Sequence, residues 1–122
     1  MESCKITLSS AESEIVVFGE MALTANGFKL FYKLDGDGCE AAYESGIFTQ
    51  TRSGSFNMTV RFCENADSEC VIKEGGLSGA IGVFTKKLSA DIKSNGVAVY
   101  INYELGGEQK TLKLTAEFQE KK

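Results

Sequence analysis

From Val97 to Phe118 the chain reads VAVYINYELGGEQKTLKLTAEF. Val97, Val99, Ile101, Tyr103 and Leu105 alternate with other residues, Gly106-Gly107 interrupts them, and Leu112, Leu114, Ala116 and Phe118 take up the alternation again. Successive side chains of a strand point to opposite faces, so a period of two means one apolar face and one wet face. The same pattern, punctuated by the same kind of turn, recurs along most of the chain and leaves few folds open.

Ile6-Thr7-Leu8 opens the series, and a β-branched run from Ile15 through Phe18 continues to Leu23-Thr24. Asn26-Gly27 separates it from the strand Phe28–Leu34; Asn-Gly between alternating runs predicts a hairpin with a type I′ turn, since both residues tolerate positive φ. Asp35-Gly36-Asp37-Gly38 forms a turn cluster, followed by a run from Cys39 to Glu44, Ser45-Gly46, a strand Ile47–Arg52 and another turn at Ser53-Gly54. Ser55–Phe62 places Phe56, Met58, Val60 and Phe62 on one face and Asn57, Thr59 and Arg61 on the other. A polar loop, Glu64–Ser68, leads to Cys70–Ile72 and Gly75-Gly76. Leu77–Ile92 is long for one strand, and Gly79 and Gly82 predict a bulge or bend within it. Asn95-Gly96 is a further turn, and the last strand is expected over Lys110–Glu120. The one helical alternative, Ala11–Leu23, is opposed by Val16, Val17 and Gly19.

About eight to ten consecutive strands on tight turns make a meander, and closing the sheet removes its exposed edges. The expected fold is therefore all-β: one antiparallel up-and-down barrel over residues 1–122. Such a barrel is just wide enough to be filled by side chains or to hold one small ligand. At 122 residues the chain suits a single domain that hides roughly two thirds of its unfolded surface.

Composition narrows the partners. With 43% apolar and 25% charged residues the chain falls in the soluble globular class, and no apolar run reaches the length of a membrane-spanning helix. MESCKITLSS carries no basic cluster and no apolar core of a secretory signal, so a cytoplasmic location is expected. The net charge of −4 and the scattered bases, Arg52 and Arg61 being the only arginines, argue against nucleic acid. Cys4, Cys39, Cys63 and Cys70 could form two disulfides in a secreted scaffold, but without a signal they are expected as free thiols. No CxxC and no histidine are present, so neither a metal nor a cofactor is expected.

Gly82-Val83-Phe84-Thr85-Lys86-Lys87-Leu88 and Tyr103-Glu104-Leu105-Gly106-Gly107, within Gly76–Leu114, resemble the YwiB-like family of small bacterial proteins of unknown function; Thr51-Arg52-Ser53-Gly54 and Val60-Arg61-Phe62 extend the likeness. The resemblance implies a calycin-like, or lipocalin-like, barrel and a bacterial source. It supplies no activity and no catalytic residues. The chain departs from it at Ile72-Lys73-Glu74-Gly75-Gly76, where the family carries an aromatic-x-Thr-Pro-aromatic-Gly stretch.

Catalysis has poor material here, with no His, no Gly-x-Ser-x-Gly elbow and no phosphate loop. Glu40 and Glu44 read as solvent-facing charges on an alternating strand. Asp35-x-Asp37 starts like a calcium loop, but the twelfth position is Gly46, which leaves a hairpin turn; Cys39 beside it reads as a quiet thiol. The stronger candidates are the apolar strand faces, Leu30, Tyr32, Phe56, Met58, Val60, Val99, Ile101, Tyr103, Leu112 and Leu114. They either line a lumen for a small apolar or amphipathic ligand, with Tyr32, Tyr103 and Arg52 or Arg61 as polar anchors, or pack as a solid core. A third reading makes Phe18, Phe31 and Tyr100 an outward patch for self-association or a protein partner. Binding of a small ligand in the barrel is the leading expectation, a structural or interaction domain the second and an enzyme the third.

Overall fold

The computed structural model describes residues 1–119. Ten strands follow one another: β1 (Glu2–Ser9), β2 (Glu14–Thr24), β3 (Gly27–Leu34), β4 (Asp37–Glu44), β5 (Ile47–Ser53), β6 (Asn57–Cys63), β7 (Ala66–Glu74), β8 (Leu77–Lys93), β9 (Gly96–Leu105) and β10 (Glu108–Phe118). Each pairs antiparallel with its sequence neighbours, and β1 pairs with β10, from Cys4 opposite Phe118 to Ser9 opposite Lys113, to close the barrel. Ala11–Leu23, weighed as a helix, enters β2. The last strand ends at Phe118, and Glu120 lies outside the described residues.

Turn chemistry and backbone packing divide the glycines differently from the sequence expectation. Asp35-Gly36, Ser45-Gly46, Gly75-Gly76 and Gly106-Gly107 hold positive φ at both residues, the conformation of a type I′ hairpin. At Asn26-Gly27 and Asn95-Gly96 no positive φ occurs. These two glycines are buried strand residues, required by close approach: a Cβ on Gly27 would stand 1.6 Å from the Tyr43 carbonyl oxygen, and one on Gly96 2.4 Å from that of Ala116. The irregularity expected at Gly79 or Gly82 falls instead between Thr85 and Lys87, where the β8–β9 register shifts. There the Glu64 carboxylate accepts the Leu88 N–H at 3.0 Å, satisfying an amide beyond the reach of β7.

Inward faces meet in one hydrophobic cluster. Phe28, Phe48 and Phe62 are almost fully buried, with centroids 6.5 and 6.2 Å apart in series, and Phe62 meets Tyr103 edge-on at 5.0 Å. All three phenylalanines stand beside the connections Ala25–Asn26, Ser45–Gly46 and Glu64–Asn65, so aromatic bulk fills that end of the barrel. Burying each ring contributes about 1.5–3 kcal/mol.

Three ladders stop short of the strands they join, and the shortest joins β6 and β7 only over Asn57–Thr59 and Val71–Lys73. β2 pairs with β1 over Glu14–Met21 but with β3 only over Glu20–Thr24, so the first part of β2 has one strand beside it. β8 pairs with β9 only from Val83, and Leu77–Gly82 projects with β7 as an arm whose Leu77 is 79% exposed. No helix among the described residues is long and apolar enough to cross a membrane.

The two classes of glycine predict opposite costs. Gly27→Ala is expected to lower unfolding free energy in urea by about 3 kcal/mol through overpacking against fixed backbone. Gly36→Ala, with open space around it and φ of +85°, should lose about 1 kcal/mol to conformational strain alone. Equal losses would contradict the assignment.

Candidate functional site

Strands alternate in direction, so Ser10–Ser13, Asp35–Gly36, Gly54–Phe56, Gly75–Gly76 and Gly106–Gly107 gather at the end opposite the phenylalanines. Polar inward groups collect there. Asp37 begins β4 on the same parity as Cys39, Ala41 and Tyr43, which makes it an inward carboxylate, 5% exposed. It accepts hydrogen bonds from Arg52 Nε at 2.8 Å, the Ser55 N–H at 2.9 Å and the Ser55 hydroxyl at 2.8 Å. These bonds, those from Ser55 first, hold its pKa down at about 2. Gly54 is confined by the same group, since a Cβ there would lie 2.1 Å from Asp37 Oδ1. The Arg52 guanidinium stacks 4.6 Å from the Phe56 ring centroid and reaches the Leu34 carbonyl.

Tyr32 and Cys39 are cross-strand neighbours, and Cys39 faces Arg52 on β5. Burial above all pushes the Tyr32 phenol up to about 12, a nearby Cys39 charge adding to it while Gln50 and Arg52 oppose it. Cys39 is also raised by burial, with Arg52 pulling the other way.

Outside this cluster, where β2 leaves β3, lies a groove of about 600 Å³. Phe18 and Phe31 form its apolar walls, 66% and 39% exposed. Gly38, Tyr32 and Cys39 also line it, and Glu20, Glu40 and Lys33 supply charge.

The residues expected from sequence separate into groups. Leu30, Val60, Val99, Ile101 and Leu114 are buried core, and Tyr32 is buried in that core while also touching the groove. Arg52, Met58, Tyr103 and Leu112 are partly exposed, with Met58, Tyr103 and Leu112 packed against the core from its edge. Phe56, expected within a strand, belongs to the connection before β6, where it supports Arg52. Arg61, the alternative anchor, is on the outer surface. Of the three outward aromatics, Phe18 and Phe31 come together; Tyr100 on β9 is separated from β2 by β10 and β1. Glu40 lines the groove while Glu44 is exposed at the far end of β4, so the two form no acid pair within it. No group of three metal-ligating side chains occurs among the described residues. Sequence reasoning missed Asp37 and Ser55. The available signal was strand parity, which sets Asp37 and Arg52 on the inward faces of neighbouring strands.

Two outcomes follow. Because its folded pKa is depressed, Asp37 adds stability that is present above its ordinary value of 3.8 and lost as pH falls through about 2. Asp37→Asn should therefore be less stable than the parent at pH 7 in urea, with the gap closing as pH drops toward 2; a constant gap would contradict this. All four thiols are free, Cys4, Cys39 and Cys70 being buried with pKa raised mainly by burial, while Cys63 is exposed. A thiol reagent at pH 8 should modify one cysteine, Cys63, at once and the others only on unfolding.

A family profile described as "Domain of unknown function (DUF1934)" matches residues 5–116. In structure the chain is similar to the YwiB protein from Bacillus subtilis, known from a crystal structure, with a TM-score of 0.74, 19% identity and coverage of 97% of this chain and 89% of that one. At that identity the likeness concerns the fold. None of the curated proteins matches the chain in sequence. Where the YwiB-like resemblance fails, at Ile72–Gly76, the chain forms the end of β7 and the arm's turn. The profile runs from β1 into β10, and the chain belongs to the DUF1934 family.

Proposed function

We propose that this protein binds a small, partly apolar molecule, without transforming it, in the groove at the β2–β3 seam. The observation that carries the reading is the pairing of two exposed aromatic walls, Phe18 and Phe31, with a groove of about 600 Å³. That volume suits a small organic ligand, for which sites of about 300–1,000 Å³ are usual. Aromatic faces supply contact, and Glu20, Glu40 and Lys33 supply orientation. Of the lumen candidates, Tyr32 lines the groove, so the ligand rests against the barrel wall and its polar end while aromatic bulk occupies the opposite end of the interior.

Binding rather than reaction is favoured by the groups at hand. The Tyr32 phenol stays protonated and the Cys39 thiol is raised, so neither is poised as a base or nucleophile near neutrality. Lys29, Lys33 and Lys113 are exposed on the outer wall and the net charge is −4, which argues against a lipid-facing wall and against nucleic acid as a partner. A second reading, a structural domain with a solid interior, draws its support from the Phe28–Phe48–Phe62 series.

Titration with Nile red, a neutral solvatochromic dye, tests the proposal. Enhancement and a blue shift are expected, with affinity falling about tenfold in Phe31→Ser, equivalent to the loss of about 1.4 kcal/mol of ring contact. Tyr100→Ser, far from the groove, should leave it unchanged. Absence of enhancement, together with native mass spectra free of any co-purified small molecule, would contradict the reading.

A further inference from the structure

β2 runs from Glu14 to Thr24, yet its ladder with β3 begins only at Glu20. Along Glu14–Phe18 one edge pairs with β1 and the other has no strand paired to it among the described residues; at Gly19 the edge is already closed, since a Cβ there would lie 2.2 Å from the Phe31 carbonyl oxygen. The connections contribute no backbone hydrogen bond there either. A free edge presents a row of unpaired amides and carbonyls, which natural sheets normally cover, bend or charge. Here it carries Ile15 and Val16, both exposed, and Phe18.

We infer that this edge pairs with its own counterpart in a second copy of the chain, giving a two-fold antiparallel β2–β2 dimer. The composition of the edge selects both occupant and register. Centring the pair on Val16 sets Val16 against Val16, Ile15 against Val17 and Glu14 against Phe18, so no two carboxylates within the strands face each other. Centring it one residue later, on Val17, would carry the partner's Glu14 to Glu20, where Phe31 of β3 already holds the edge. In the Val16 register the partner's Glu14 arrives beside Phe18, where Lys33 shares the groove wall; the two-fold axis repeats that acid–base match on the other side. Glu12, which would follow opposite Glu20, lies in the connection before β2. Such an interface uses the same surface on both copies and closes on itself, leaving no edge for further growth. It is independent of the ligand reading and borders the groove at Phe18.

Sedimentation equilibrium at high micromolar concentration tests the dimer: the mass should approach twice 13.2 kDa. Val16→Lys should return it to one chain with an unchanged melting temperature. In a Cys63→Ser background, which removes the exposed native thiol, Val16→Cys should oxidise to a covalent dimer at least tenfold faster than Thr24→Cys, which sits on the same strand where β3 covers the edge. The cross-linking comparison decides the matter even if Val16→Lys fails to fold. A single-chain mass at that concentration would overturn the inference and leave the edge to an extended peptide of another protein. Equal cross-linking at the two positions would overturn it as well.

Discussion

Six residue pairs between β1 and β10 turn a ten-strand ribbon into a ring. Without them Cys4, Ile6, Leu114 and Ala116, all fully buried, would border an open sheet end. Closure gives the two-residue periodicity its meaning: each inward face finds the others across the barrel, and each outward face finds water or a partner. It also fixes where the barrel can act. A ring has no edges except where a ladder runs short, and among the described residues the β2–β3 seam is where a short ladder coincides with exposed aromatic side chains and a groove.

Inside the ring, size and polarity divide along the barrel. Phenylalanines occupy the end nearest Ala25–Asn26 and Ser45–Gly46, whereas Asp37, Arg52, Gln50 and Tyr32 occupy the other. A buried carboxylate is tolerated only when paired and hydrogen-bonded, and Asp37 has three donors. Through them it ties the β3–β4 turn to the β5–β6 connection. That tie holds Gly38 and Cys39 at the start of β4, beside Tyr32, and so fixes the groove's lining beneath Phe31.

Much of this is legible in residue order. Alternation leads to about eight to ten strands, because burial on one face leaves a direct trace in residue order, but Ala66–Ser68, polar enough to read as loop, forms the start of β7. The turn glycines were read less well: Asn26-Gly27 has the composition of a type I′ turn, but Gly27 is demanded by Tyr43 sixteen residues on, a contact invisible to local pattern. The bulge at Thr85–Lys87 likewise lies where Glu64, from the β6–β7 connection, accepts the Leu88 N–H, and not at the glycines nearby. Asp37 has the surroundings of a turn residue, with Asp and Gly beside it, although its parity with Cys39 and Ala41 sets it inward. The groove was least legible of all, since it exists only because β2 and β3 part after five pairs, and no residue of either strand announces that divergence.

Ring closure is the claim on which the rest stands, and amide hydrogen exchange followed by NMR tests it most directly. The amides that join β1 to β10, around Ile6, Leu8, Leu114 and Ala116, should exchange as slowly as those of the β3–β4 ladder, since both open only with the whole barrel. Exchange at those positions orders of magnitude faster than in β3 and β4, as at frayed termini, would mean an open ribbon and contradict the account.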